Sequence, residues 1–144
     1  MHDATIHTSS EEETSAVGER LGRELGPGDL VLLTGQLGAG KTAFVRGLAR
    51  GIGASPREVS SPTFTLIQDY AGSGVTLHHV DLYRLEPAEI GDLGLDELVS
   101  GNDIAAVEWA DRWNDWPAAA TRVWLEDAGG ERRTIRIVRG GGPT

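Results

Sequence analysis

The sequence predicts an α/β fold with a parallel sheet, and three observations carry that prediction. The apolar run Leu30-Val31-Leu32-Leu33 leads into Gly35-Gln36-Leu37-Gly38-Ala39-Gly40-Lys41-Thr42, a full match to G-x-x-x-x-G-K-[ST]. Phe44, Val45, Leu48, Ala49 and Ile52 then recur at helical spacing, with Gly53 as a stop. Further on, Ile104-Ala105-Ala106-Val107 is an apolar run closed by Glu108, the pattern of a parallel strand buried on both faces.

Each required residue of the glycine-rich stretch has a physical task. The glycines let the backbone turn tightly with its N–H groups inward, where a side chain would exclude a phosphate. Gly35, Gln36, Leu37, Gly38, Ala39 and Gly40 are therefore candidate phosphate ligands through their backbone. Lys41 can reach β- and γ-phosphates, and the Thr42 hydroxyl can ligate the Mg²⁺ that bridges them. A helix beginning near Gly40 adds its N-terminal dipole. Lys41 is also the only lysine of the chain; the other basic side chains are twelve arginines. A sequence that avoids lysine elsewhere keeps one where a compact ammonium meets phosphate.

In chain order, residues 4–7 suit a short edge strand. Ser9 and Ser10 each offer an N-cap with a glutamate three residues on, Glu12 or Glu13, and the Glu11-Glu12-Glu13 run suits the positive end of a helix. Val17, Leu21 and Leu25 give that helix one narrow apolar face, and Pro27-Gly28 ends it. After the glycine-loop helix comes a polar connection, then Ser61-Pro62-Thr63-Phe64, where Pro62 disfavours helix. Residues 65–70 and 75–81 read as two strands of a hairpin joined by Ala71-Gly72-Ser73-Gly74. Pro87 opens one short helix, and Leu95-Asp96-Glu97-Leu98 suits a second. Trp109, Trp113 and Trp116 follow Glu108 closely. Residues 122–127 and 134–139 alternate like strands around Gly129-Gly130, a closing hairpin. Neither repeats nor linkers divide the chain, so a single domain over residues 1–139 with a flexible tail at 140–144 is expected.

Composition narrows the function classes. A length of 144 residues is enough for a real core, and 39% hydrophobic with 24% charged residues is ordinary for a globular protein. Without cysteine, neither disulfides nor thiolate metal sites contribute. No basic, apolar leader and no membrane-length apolar run is apparent, which makes a cytoplasmic location and no membrane partner the expectation. A formal net charge of −9 argues against a broad nucleic-acid-gripping face.

Phosphoryl chemistry on this scaffold requires a carboxylate at the end of a neighbouring strand and a group that positions the attacking water. Two carboxylates compete. Asp81 ends the half-apolar Leu77-His78-His79-Val80, and Glu108 ends the better apolar match. Each alone is as readily a solvated strand-end charge; the phosphate loop supplies the reason to assign function to at least one. His79 can help position a group, although a lone histidine on a strand is more commonly structural, and His78 has no assignment.

Together with the loop, Ser61-Pro62-Thr63-Phe64, His79-Val80-Asp81-Leu82-Tyr83-Arg84 and Val107-Glu108-Trp109 resemble the TsaE family, the small ATPases of bacterial tRNA threonylcarbamoyladenosine (t6A) synthesis. The resemblance runs from about Ser9 to Trp113, in order and spacing, and leaves the C-terminal hairpin without a matching motif. It implies a P-loop NTPase-like fold, a mostly parallel sheet with antiparallel edge strands and flanking helices. It implies a Mg²⁺-dependent ATPase acting with a TsaB–TsaD partner complex, through which tRNA is reached. Carried onto this chain, Lys41 contacts phosphates, Thr42 ligates Mg²⁺ and Glu108 is the second metal-side carboxylate. Asp81 is the Walker B-type acid, acting through metal-bound water or as base, so catalysis falls to Asp81, Glu108 and Lys41. Thr63 is the γ-phosphate contact of a switch-like segment. Tyr83 and Arg84 belong to the signature without a defined role, and Trp109 packs beside the nucleotide, at an interface or in the core.

Two other readings remain. A small-molecule P-loop kinase would carry an arginine-bearing lid, and residues 82–101 hold only Arg84. A nucleotide-gated interaction module with little turnover fits the same ground-state site. A GTPase is disfavoured, because a chain with one lysine has no Asn-Lys-x-Asp element.

Overall fold

The computed structural model describes residues 3–36, 40–54, 67–82, 103–109 and 119–140. Within them lie β1 (Ala4–Thr8), α1 (Glu11–Glu24), β2 (Leu30–Thr34), α2 (Lys41–Gly51), β3 (Ile67–Ala71), β4 (Thr76–Asp81), β5 (Ile104–Glu108), β6 (Thr121–Gly129) and β7 (Arg132–Val138). One seven-stranded sheet runs in the order β1-β7-β6-β2-β5-β4-β3. Its centre, β6-β2-β5-β4, is parallel, and β7, β1 and β3 border it antiparallel. The expected α/β class and antiparallel edges are thus both present.

Local chemistry sets the boundaries. Of the two capping spacings in the sequence, α1 uses Ser10, whose hydroxyl accepts from the Glu13 N–H at 3.1 Å. The Glu13 carboxylate reaches back to the Ser9 N–H at 2.7 Å, so two orphan donors are satisfied together. Between β3 and β4 the Gly72 N–H donates to the Val75 carbonyl at 2.8 Å, and Gly74 takes the positive φ of 76° that closes the turn. The closing hairpin runs further than its alternation suggests, with a register irregularity between Asp127 and Gly129.

The core forms between the sheet and the two helices. Val31, Leu33, Ala106, Val123 and Leu125 face Val17, Leu21, Phe44, Val45 and Leu48. All five residues of β5 are buried, as the uninterrupted apolar run requires. The approach of α1 to α2 is set by glycines. A Cβ on Gly18 would stand 2.2 Å from the Phe44 carbonyl oxygen, and one on Gly47 would stand 1.9 Å from that of Ser15. Gly22 and Gly51 repeat the arrangement one turn later, so the backbones meet closely along two facing small-residue rows.

Several sequence expectations lie outside the described residues: Leu37, Gly38 and Ala39 of the loop, Ser61 to Phe64 with Thr63, Tyr83 and Arg84, the two short helices, Trp113 and Trp116, and tail residues 141–144. No helix among the described residues is long and apolar enough to cross a membrane.

Candidate functional site at the strand ends

The site lies at the C-terminal ends of the central parallel strands, where open α/β sheets place their ligands. β2 delivers Gly35 and Gln36, and α2 begins at Lys41 with Gly40 as its N-cap. The two helices treat their N-termini in opposite ways. Helix α1 satisfies its first turn with Ser10 and three glutamates. Helix α2 has no side-chain cap and no acidic residue in its first turn. Its positive end is therefore left to whatever anion the loop holds. Gly40 sits at φ 96°, a conformation that only glycine adopts without strain.

Lys41 is only 5% exposed, and its ammonium is engaged within the protein. Nζ donates to the Gly35 carbonyl, spanning the loop from end to start. It also lies 3.6 Å from the centroid of the Trp109 ring. Trp109 reaches that position from the residue after β5 by taking φ 61°, the one non-glycine positive φ among the described residues. Thr42 follows on the first turn and is partly exposed.

The register brings the two carboxylates together. Leu33 of β2 is level with Glu108 of β5, and Glu108 is level with Asp81 of β4. The Leu82 N–H donates to the Glu108 carbonyl at 3.1 Å, extending the ladder past both acids. Paired residues of a parallel sheet share a face, so Asp81 and Glu108 project from the same side, beside the strand that feeds the loop. Asp81 is partly exposed and Glu108 is 3% exposed. Glu108 owes its burial to a partner: its Oε2 lies 2.5 Å from Nε2 of His79, which is fully buried.

Lys41, Thr42, Asp81 and Glu108 are thus gathered at one end of the sheet with Gly35, Gln36 and Gly40; Leu37, Gly38, Ala39 and Thr63 lie outside the described residues. Two neighbours complete the surroundings: His79, which the sequence left between a positioning and a structural role, and Arg133, which it did not single out. The tie between His79 and Glu108 depends on strand register, although the alternation already puts His79 on the face of Asp81. Arg133 of the C-terminal hairpin comes to the loop, its Nε 3.5 Å from where a Gly40 Cβ would stand. It is held there by donating to Asp127 at 3.3 Å and to the Gly130 carbonyl at 2.7 Å. No motif announced it. A cavity of about 410 Å³ adjoins the loop on the β6 side, lined by Thr34, Gly35, Gln36, Trp124, Glu126 and Asp127 among others.

Among the described residues no cluster of three or more His, Asp or Glu is arranged to cage a metal.

Comparison with known proteins identifies the family. A family model described as threonylcarbamoyl adenosine biosynthesis protein TsaE matches residues 8–135. The tRNA threonylcarbamoyladenosine biosynthesis protein TsaE of Bacillus subtilis (strain 168) is 40% identical over 136 residues, covering 94% of this chain and 85% of that protein. The protein of the same name from Nostoc sp. (strain PCC 7120) is 40% identical over 126 residues, covering 83% and 76%. Among solved structures, YdiB of Bacillus subtilis aligns with a TM-score of 0.76 at 31% identity, covering 96% of this chain and 86% of that one. The family match extends into the C-terminal hairpin, ending within β7, which no motif had connected to the rest, and from Thr8 to Ile135 the chain belongs to the TsaE family.

Proposed function

We propose that this protein binds MgATP at the loop and hydrolyses it in the service of t6A synthesis, together with a TsaB–TsaD complex. The observation that carries the reading is the level placement of Leu33, Glu108 and Asp81, which sets two carboxylates beside a loop whose lysine is already in place. Family membership supports the t6A role, and the names of the relatives support it further.

Bound Mg²⁺ would supply charge neutralisation between the β- and γ-phosphates. The chain's own groups do the rest. The α2 N-terminus and Lys41 bind phosphate, with Lys41 held in advance by Gly35 and Trp109. The Thr42 hydroxyl and one carboxylate would hold the metal, and the other carboxylate would orient the attacking water or take its proton. The chain brings Arg133 near the loop, but that guanidinium is committed to the hairpin turn. A group that stabilises charge on the departing phosphoryl is expected from the partner, so the isolated chain is slow. With a net charge of −9, it leaves tRNA recognition to that partner.

The test is ATP turnover as a function of Mg²⁺ concentration. Glu108→Ala and Asp81→Ala should each lower turnover by about tenfold or more, and at least one should move the Mg²⁺ midpoint. Glu12→Gln, exposed on the first turn of α1, is the control. Unchanged Mg²⁺ dependence in both carboxylate variants would mean that the metal site is elsewhere.

A further inference from the structure

We infer that His79 is a positioning residue for Glu108: it donates its Nε2 hydrogen to the carboxylate and fixes that side chain beside Asp81. The inference rests on the reading of Glu108 as a site carboxylate, and three observations carry it. The Nε2 to Oε2 distance is 2.5 Å between two side chains that are 0% and 3% exposed. The other ring nitrogen, Nδ1, is buried and has no hydrogen-bond partner among the described residues. The ring stands 6.3 Å from that of Tyr70, so its surroundings are partly aromatic.

The orphan nitrogen decides the tautomer. A neutral imidazole carries its hydrogen on one nitrogen and a lone pair on the other. With the hydrogen on Nδ1, a buried N–H would have no acceptor and would bear its desolvation uncompensated. With the hydrogen on Nε2, the donor meets a carboxylate and only a lone pair is left without a partner. The Nε2–H tautomer therefore follows from the packing. Its consequence is directional: one oxygen of Glu108 is held by His79, which fixes how the other is presented. The strand alternation makes the arrangement possible, since His79 and Asp81 are two residues apart on β4 and share a face with Glu108.

The experiment has two arms on the full chain. The first is ¹⁵N NMR of the histidine ring without nucleotide or metal, assigned by comparison with His79→Gln. The expected spectrum shows Nε2 protonated and Nδ1 unprotonated, with the Nε2 signal shifting in Glu108→Gln. A proton on Nδ1, or a ring signal indifferent to Glu108, overturns the proposal. Because this arm needs no ATP, a chain without ATPase activity would sink the functional reading separately. The second arm is turnover. His79→Leu should lower kcat by about 10–100-fold, the range found when a partner of a metal-site ligand is removed. His79→Gln, which returns an N–H donor to the same place, should recover most of it. In a Glu108→Ala background His79→Leu should cost nothing more, whereas equal losses in both backgrounds would show a scaffolding role only. If His79→Leu does not fold, the contrast between His79→Gln and the shorter His79→Asn decides: recovery by Gln alone supports the proposal, and equal activity overturns it.

Discussion

The Trp109 ring lies against the Lys41 ammonium, with 3.6 Å from Nζ to the ring centroid, and the tryptophan adopts φ 61° to be there. A bulky residue at positive φ costs about 1–3 kcal/mol and persists only where its surroundings hold it. The protein itself holds Lys41, with an aromatic face and a carbonyl. Removing it should therefore disturb the loop itself as well as phosphate binding.

Calorimetry of ATP binding separates the two contributions. Lys41→Ala should weaken binding about tenfold or more, the value of a charge-assisted contact. Trp109→Leu should weaken it about threefold, in proportion to a cation–π contact near 0.5–1 kcal/mol. In the double variant the Trp109 change should add nothing, because the ring acts through the lysine. Additive losses would mean that Trp109 serves the nucleotide by another route.

The glycine rows between α1 and α2 give a stability prediction. Gly47→Ala drives a Cβ to within 1.9 Å of the Ser15 carbonyl oxygen, where only backbone can yield. Urea denaturation should show a loss of about 1–3 kcal/mol or more. Gly26→Ala, whose Cβ would meet nothing within 4 Å, should stay within about 0.5 kcal/mol of the parent. Equal stabilities would contradict the close helix approach.

His78 provides a pH signature away from the site. Burial works against its charged form, but the Asp103 carboxylate at 2.7 Å and the Asp69 carboxylate at 2.6 Å outweigh it and raise the pKa above 6.5. A folded-state pKa above the unfolded value stabilises the protein fully below that unfolded value. The contribution is lost as pH rises through the folded pKa. Relative to His78→Asn, the parent's thermal midpoint should thus be raised most at pH below 6.5 and the difference should shrink above it. A difference that grows with pH would reverse the sign of the linkage.

Much of this arrangement was legible in the sequence. Ser10 with Glu13, the run from Leu30 into Gly35, and Ile104 to Glu108 act locally, through capping, backbone geometry and continuous burial. The Gly72 to Gly74 turn and the Gly129-Gly130 turn likewise announced their hairpins. What stayed hidden depends on contacts between distant segments. Gly18 and Gly47 look like ordinary helix-weakening residues until two backbones meet there. Arg133 belongs to an alternating strand like any other, and only the sheet order brings it to Gly40. The bond from His79 to Glu108 needs the β4–β5 register, which no single stretch encodes.

The central claim is that this chain is an ATPase completed by its partners, and turnover measured across a titration of the TsaB–TsaD complex tests it most directly. The proposal takes Lys41, Thr42, Asp81 and Glu108 as the ground-state elements and expects a group that stabilises the transferring phosphoryl from outside. A missing group of that kind is worth about a thousandfold or more in rate. The account predicts slow Mg²⁺-dependent hydrolysis by the chain alone, a saturable rise as the complex is added, and loss of that rise in Lys41→Ala. Rapid unaided hydrolysis that the complex leaves unchanged, or phosphorylation of a small metabolite at a comparable rate, would contradict it.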